Sequence, residues 1–365
     1  MLSFDELHAT LAYQGEEVAL QEPPIVLVDL ASDPAVWNSS SLSSLSSLSS
    51  MSSMSSLASM SSESALPASS TTGAGLSPAH RTTGFLSTPC VFVGVGDEAL
   101  LGQIGAATAL IDVVAAKDSD LEAIDAAARR CPIASVSLAL LLRGRETRSL
   151  DEALVAESTT YSMLQSGPEF AAWRSSHKAK SPVADREPPV NVFHEGSVLY
   201  IELNRPTRHN AYSTDLRDAL VAAFDLAIAD EELRVVLRGN GPSFCSGGEL
   251  TEFGSFIDPA SAHRTRLTRS AARQLLQISN RVTAHVHGFC LGAGIELAAF
   301  AHAVIAHPET TFALPELALG LVPGSGGTAS LPPRIGRHRS ALLALTGRRI
   351  TAKTALDWGL IDAID

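Results

Sequence analysis

The sequence predicts an α/β protein with a largely parallel sheet, and three observations lead there. Apolar runs of strand length alternate with stretches of helical period across residues 191–365. Parallel strands need crossovers, and the intervening helices supply them. Apolar residues make up 45% of the chain, enough for a sizeable core, while aromatic residues at 5% leave Ala, Leu and Val to fill it.

Taken in order, Pro24–Leu30 and Cys90–Val95 read as strands. Between them, Ser-Ser-Leu and Ser-Ser-Met triplets fill residues 39–57. A period of three fits neither strand nor amphipathic helix, and serine competes with its own backbone for hydrogen bonds, so the insert at 39–75 is expected to be disordered. From Asp118 to Arg174 the pattern is helical, interrupted at Pro132, with Ser149 capping a helix that has Asp151 and Glu152 in its first turn. Residues 177–190 are polar and proline-bearing and read as a linker. Strands then fall at Val198–Leu203, Val235–Arg238, Val282–His287 and Ala303–Ala306. Helices fall at Thr214–Ile228, at Ala262–Ile278, after Gly294 and past Pro323. The expected organisation is an N-terminal strand region at 1–38, the serine-rich insert, a helix-bearing segment at 76–176, the linker, and the alternating region from 191.

The net charge is −12, and no basic stripe stands out, which argues against nucleic acid as a partner. Arg264, Arg266, Arg269 and Arg273 have roughly helical spacing. The run reads as the solvated face of a helix, with a cationic shoulder for an anionic ligand as the alternative. Four scattered cysteines fit free thiols in a reducing compartment. The N-terminus lacks the pattern of a secretory signal, and no apolar stretch is long enough to span a bilayer, so a cytoplasmic protein without membrane partners is expected. His285 and His287 alternate on one strand face without a third ligand, so no metal is expected. Gly94-Val-Gly96 follows a strand but lacks the remaining glycine of a dinucleotide fingerprint. Pro323–Thr328 lacks the lysine of a phosphate loop.

Two glutamates twenty residues apart carry the chemistry. Glu296 follows the turn Gly292-Ala-Gly-Ile, and Glu316 follows Phe312-Ala-Leu-Pro. Two carboxyl groups brought to one cavity provide an acid and a base at neutral pH if burial separates their pKa values. Nearby glycines let backbone N–H groups approach a ligand, as an oxyanion hole requires. A third small-residue segment, Ser243-Phe-Cys-Ser-Gly-Gly-Glu249, also follows an apolar strand. Together they suggest an enzyme acting on a carbonyl compound.

With these residues in place, the sequence resembles the crotonase (enoyl-CoA hydratase/isomerase) superfamily over about residues 190–365. Asn204-Arg-Pro…Asn210-Ala, Phe244-Cys-Ser-Gly-Gly, Gly288…Gly292-Ala-Gly-Ile-Glu-Leu-Ala, Leu314-Pro-Glu…Gly320-Leu-Val-Pro-Gly-Ser-Gly-Gly-Thr328 and Leu345-Thr-Gly…Ala355-Leu-Asp-Trp-Gly-Leu-Ile-Asp362 occur in the family's order and spacing. The resemblance implies a crotonase-like ββα spiral core with a helical cap and an acyl-CoA thioester substrate. Coenzyme A enters as part of that substrate, with no separate cofactor. It also implies a homo-oligomer, trimer or hexamer.

Carried over by position, the amides of Ser246 and Ala293 would form the oxyanion hole. Ala211, Cys245, Gly247, Gly248, Gly292, Gly294, Pro323 and Gly324 would line the substrate site. Glu296 would deprotonate a water, and Glu316 would protonate the α-carbon, giving a 2-enoyl-CoA hydratase. The alternatives are an isomerase or thioester hydrolase using Glu316, or a silent acyl-CoA-binding protein. Glu249 stands where relatives more often carry aspartate. Cys245 and Cys290 read as packing residues rather than nucleophiles.

The family's domain continues beyond the Gly-Leu-Ile-Asp motif into helices that cover the acyl pocket. Here Ala109-Leu-Ile-Asp-Val-Val and the helices after it, through Ser166-Gly-Pro-Glu-Phe-Ala-Ala-Trp173, are similar to that missing part. Residues 1–176 are therefore expected to be a degenerate crotonase copy whose helices cap the catalytic region, as in a circular permutant.

Overall fold

A computed structural model describes residues 24–31, 88–177, 187–255 and 258–365. The serine-rich insert lies outside the described residues. The chain divides into two compact units, residues 1–121 and 122–365. This boundary falls upstream of the linker expected at 177–190.

The first unit carries a parallel three-stranded sheet, β1 (Ile25–Asp29), β2 (Val91–Val95) and β3 (Val113–Ala115), in that order. Val26, Val28, Leu30, Phe92, Ile111 and Val114 form its core. The short β3 lies within the Leu-Ile-Asp-Val-Val run and was not expected as a strand.

The boundary passes through the first turn of α1 (Asp118–Arg130). Helices α2 (Pro132–Arg143), α3 (Leu150–Gln165) and α4 (Pro168–Ser176) follow. Ser149 caps α3 as expected, in a reciprocal box: its hydroxyl accepts from the Glu152 amide at 3.2 Å, and its own amide donates to the Glu152 carboxylate at 2.8 Å. Glu169, at the start of α4, accepts from the amides of Ile133 and Ala134 at 2.6 and 3.0 Å, tying α4 to the first turn of α2.

The main sheet has six strands. They are β4 (Val190–Glu195), β5 (Val198–Leu203), β6 (Arg234–Gly239), β7 (Val282–Val286), β9 (Ala303–Ala306) and β12 (Ala363–Ile364), running from one edge to the other. All pairs are parallel except the β4–β5 hairpin. The sequence reading placed a linker up to residue 190 and did not identify β4. That strand lies at the sheet edge and buries only Val190 fully, so its pattern is too polar to announce a strand.

A second, small sheet orders β11 (Ile350–Thr351), β10 (Thr311–Ala313) and β8 (Phe289–Leu291), and this one positions the chemistry. β8 and β10 run parallel with Leu291 opposite Ala313. The segments bearing Glu296 and Glu316 therefore leave the same end of adjacent strands.

Around the sheets lie α5 (Thr214–Ala229), α6 (Pro259–Thr268), α7 (Ala271–Ile278), α8 (Ala293–Ala298), α9 (Gly327–Ser330), α10 (Pro332–Thr346) and α11 (Ala352–Trp358). The single helix expected at Ala262–Ile278 is two. The break comes at Ser270, whose hydroxyl accepts from the Arg273 amide and starts α7 afresh. Strand β7 ends at Val286, so His287 lies beyond it, its ring donating to the Gly241 carbonyl oxygen at 2.8 Å.

Candidate active site

A cavity of about 180 Å³ opens in the second unit. Its wall includes Glu296, Glu316, Ala293, Gly248, Gly324 and Ser325, and α3 contributes Leu154, Glu157, Ser158, Tyr161 and Gln165. The chain thus brings both predicted glutamates to one place, although they leave different secondary elements.

Glu296 stands in the first turn of α8 and is 1% exposed. One carboxylate oxygen, Oε2, accepts from the amides of Ser325 and Gly327 at 2.7 and 2.9 Å. Burial pushes its pKa up to about 7, against the pull of those amides.

Glu316 begins a 3-10 turn that follows β10 and Pro315. Its Oε2 is buried and has no hydrogen-bond partner among the described residues. Burial, then the charge of Glu296, raises its pKa well above the usual carboxylate range. Burial and the neighbouring charge thus favour the protonated form of Glu316, while Glu296 titrates near neutrality. Gly292 makes the approach of Glu316 sterically feasible. Its φ is +47°, and a Cβ built there would stand 2.3 Å from Glu316 Oε1.

A further buried carboxylate of the cavity was missed by sequence reasoning. Glu157 in α3 is 2% exposed. It accepts from the Gly326 amide at 2.7 Å, the Thr328 amide at 2.8 Å and the Thr328 hydroxyl at 2.6 Å. The loop 325–328 is therefore a strip of four amides shared by two acids. Ser325 and Gly327 serve Glu296, and Gly326 and Thr328 serve Glu157. A phosphate loop offers its amides to a ligand, whereas here the protein's own carboxylates use them. Burial, then the Glu296 charge, pushes Glu157 up to about 8. A signal was present in the sequence: Ala153, Leu154, Glu157, Ser158 and Tyr161 share one face at helical spacing, and an acid on an otherwise inward face asks for partners.

The oxyanion hole needs a correction. The Ser246 amide donates to the His209 carbonyl oxygen at 2.9 Å, so it is not free to hold a thioester oxygen, and Ser246 does not line the cavity. Gly248 does line it, and its amide has no acceptor among the described residues. Ala293, the first residue of α8, also lines the cavity, and its amide has no acceptor within that helix. Gly248 and Ala293 are the pair that geometry leaves available.

Of the other expected lining residues, Gly324 is on the wall. Ala211, Cys245, Gly247, Gly292, Gly294 and Pro323 are not. Gly294 permits close contact with Cys245, whose carbonyl oxygen would lie 2.8 Å from an added Cβ. Burial drives the Cys245 thiol up to about 12 and Cys290 well above its ordinary value, which leaves neither as a ready nucleophile.

Glu249 is held by Arg208 at 3.1 Å and Arg205 at 3.3 Å, so the longer side chain is accommodated by a paired, structural role. The arginine run is not simply a solvated face. Arg266, Arg269 and Arg273 all line the cavity. Among the described residues no group of three or more His, Cys, Asp or Glu could hold a metal ion, and no helix is long and apolar enough to cross a membrane.

A parallel-sheet spiral, a small second sheet delivering two glutamates, and free amides at the start of a short helix define a crotonase-type protein. Residues 194–365 match the sequence profile of the enoyl-CoA hydratase/isomerase family. Among similar proteins, the 2,3-dehydroadipyl-CoA hydratase of Escherichia coli is 34% identical over 174 residues, covering 47% of this chain and 68% of the relative. The mevalonyl-coenzyme A hydratase of Beauveria bassiana is 34% identical over 194 residues, covering 51% and 69%. A crystal structure of enoyl-CoA hydratase from Thermoplasma volcanium is similar at 30% identity and a TM-score of 0.46, over 49% of this chain and 73% of that one. The chain spans about two thirds of the length of the curated relatives it matches. It belongs to the enoyl-CoA hydratase/isomerase family of the crotonase superfamily.

Proposed function

We propose that the protein is a hydratase that adds water across the double bond of a 2-enoyl-CoA thioester. The observation that carries this reading is the pair of buried glutamates on one cavity wall, with Glu296 titrating near neutrality and burial pushing the Glu316 carboxyl towards its protonated form. The Glu296 carboxylate takes a proton from water as the water oxygen bonds to the β-carbon. The π electrons move through the α-carbon to the thioester oxygen, giving an enolate held by the amides of Gly248 and Ala293. Preorganised donors of this kind are each worth about 3–4 kcal/mol of barrier. Glu316 returns a proton to the α-carbon, and the carbonyl re-forms. No cofactor beyond the substrate's own coenzyme A enters these steps. The names of the two relatives, both hydratases of CoA thioesters, support the same assignment.

Purified protein incubated with crotonyl-CoA should remove the enoyl absorbance. Inertness towards crotonyl-CoA and towards longer and polar-ended 2-enoyl-CoA thioesters alike would overturn the hydratase reading. The pH dependence has a defined sign. Glu296 must be ionised to act as base, so kcat/KM should fall as pH drops below about 7. The loss of the Glu316 proton should close the profile on the alkaline side. A profile still flat two pH units below neutrality would remove Glu296 from the base role.

The helices before residue 177 are part of this reading, as a cap that closes the acyl pocket. Supporting it, Tyr161 packs on Gly324, where an added Cβ would meet its ring at 2.4 Å, and Glu169 sits on Gly320, where an added Cβ would lie 2.7 Å from its own. A fragment beginning at Val190 lacks both residues and Glu157, and should be inactive and prone to association through its exposed apolar face. A monodisperse, active fragment would refute the capping role.

A further inference from the structure

Four arginines line the cavity: Arg217, Arg266, Arg269 and Arg273. Three of them have carboxylate partners. Arg217 pairs with Asp218 at 2.8 Å, Arg269 with the same aspartate at 2.6 Å, and Arg273 with Asp151 at 2.5 Å. Arg266 has none among the described residues.

The partners of Arg266 are neutral oxygens of α3. It donates to Ser158 Oγ at 3.1 Å, to Gln165 Oε1 at 3.4 Å and to Ser162 Oγ. Its guanidinium stacks 4.7 Å from the centre of the Tyr161 ring. Burial lowers its pKa, yet a guanidinium stays charged in proteins. The acid nearest in effect, Glu157, already spends both oxygens on the loop 325–328. A half-buried cation without a counter-charge is costly to hold in a pocket wall, and three hydroxyl or amide oxygens with one ring offset only part of that cost.

Its place in the cavity matters as much as its charge. Tyr161 separates it from Gly324, and the next residue, Ser325, holds Glu296. Arg269 and Arg273 are more open, with side chains 59% and 36% exposed, and their charges are already met. The unmatched cation thus lies one aromatic ring away from the loop whose amides hold Glu296.

We propose that the acyl group handled at this site ends in a carboxylate, which pairs with Arg266. The substrate class is then a short dicarboxylyl-CoA, an enedioyl rather than an enoyl thioester. This rests on the thioester reading given above and adds the identity of the acyl end. A carboxylate fits the guanidinium fork in a bidentate way, and the N–H groups of Arg266 not spent on Ser158, Ser162 and Gln165 are the donors it would take. The phosphates of coenzyme A carry the same charge and are the other source of an anion for Arg266, so the test separates the two.

The experiment compares binding of two saturated thioesters of equal length, adipyl-CoA and hexanoyl-CoA, and of free coenzyme A, by calorimetry. The intact protein should bind adipyl-CoA roughly 10–100-fold more tightly than hexanoyl-CoA, the range expected when a buried charge gains its partner. Arg266→Met should collapse that ratio to near one, and Arg266→Lys should keep part of it. Equal affinity of the intact protein for both thioesters would overturn the proposal. So would an Arg266→Met variant that loses the same factor for both thioesters and for free coenzyme A, which would assign the arginine to the phosphates. If neither thioester binds, the thioester reading itself falls. If both bind without preference, only the carboxylate-ended acyl group is lost.

Discussion

On the proposed mechanism, replacing Glu296 or Glu316 by glutamine should reduce hydration of crotonyl-CoA by about 10²–10⁴-fold in kcat, the range a positioned acid or base supplies. The two substitutions remove different things. In Glu296→Gln the side chain can still accept from Ser325 and Gly327 but can no longer take the water proton. In Glu316→Gln the proton destined for the α-carbon is gone, while the amides of Gly248 and Ala293 remain to stabilise an enolate. The double variant should lose little more than the worse single one, because acid and base act in one reaction coordinate. Steady-state rates on crotonyl-CoA measure all three. Turnover that survives Glu296→Gln but not Glu316→Gln would favour isomerase or thioester hydrolase chemistry, which needs only one acid.

The two glutamates were legible from sequence because each is fixed by short-range chemistry. Gly292 adopts a left-handed φ two residues before the turn into Gly294, and Pro315 immediately precedes Glu316, so a few residues specify each backbone path. The amides proposed for the oxyanion hole were only half legible. Ser246, Gly247 and Gly248 are all small, and which amide faces the cavity depends on the hydrogen bonds of the segment. His209 takes Ser246, and Tyr212 pairs around Gly248 by accepting from Glu249 and donating to Gly247. Both are residues more than thirty positions away, at the far side of α5 and β6.

The strand alternation that gave the α/β class came through for β5, β6, β7 and β9, whose inward positions are apolar. It failed for β4, an edge strand with its outer face in solvent, and for β3, only three residues long. The split of α6 from α7 was hidden because a serine cap, unlike glycine or proline, is ordinary inside a helix as a letter. Helical spacing places Glu157 on an inward face and Arg266 in a possible cationic shoulder, but their partners come from distant stretches of the chain and could not be read from spacing.

Glu157 gives the second large expected effect. It lies 169 residues before the loop whose amides it accepts, and nothing else among the described residues satisfies those donors. Glu157→Ala leaves the Gly326 amide, the Thr328 amide and the Thr328 hydroxyl unpaired in the interior. That should cost about 3–5 kcal/mol of stability, read as a fall of roughly 10 °C in the thermal midpoint for a unit of this size. The loop also carries Ser325 and Gly327, so its loosening should displace Glu296 and lower kcat by about 10–100-fold even where the variant remains folded. Glu157→Gln keeps the shape and an accepting oxygen, and should recover much of the stability. The pH dependence supplies a second sign. With its pKa raised to about 8, Glu157 keeps in the native state a proton that the unfolded chain gives up in the ordinary carboxylate range. Its contribution to stability is therefore complete in acid and declines as pH rises towards about 8. Glu157→Gln has no proton to lose, so its thermal midpoint should fall less than that of the intact protein between pH 5.5 and 8.5. Parallel declines in the two proteins would mean that Glu157 is ionised throughout, paired with the loop as a permanent anion.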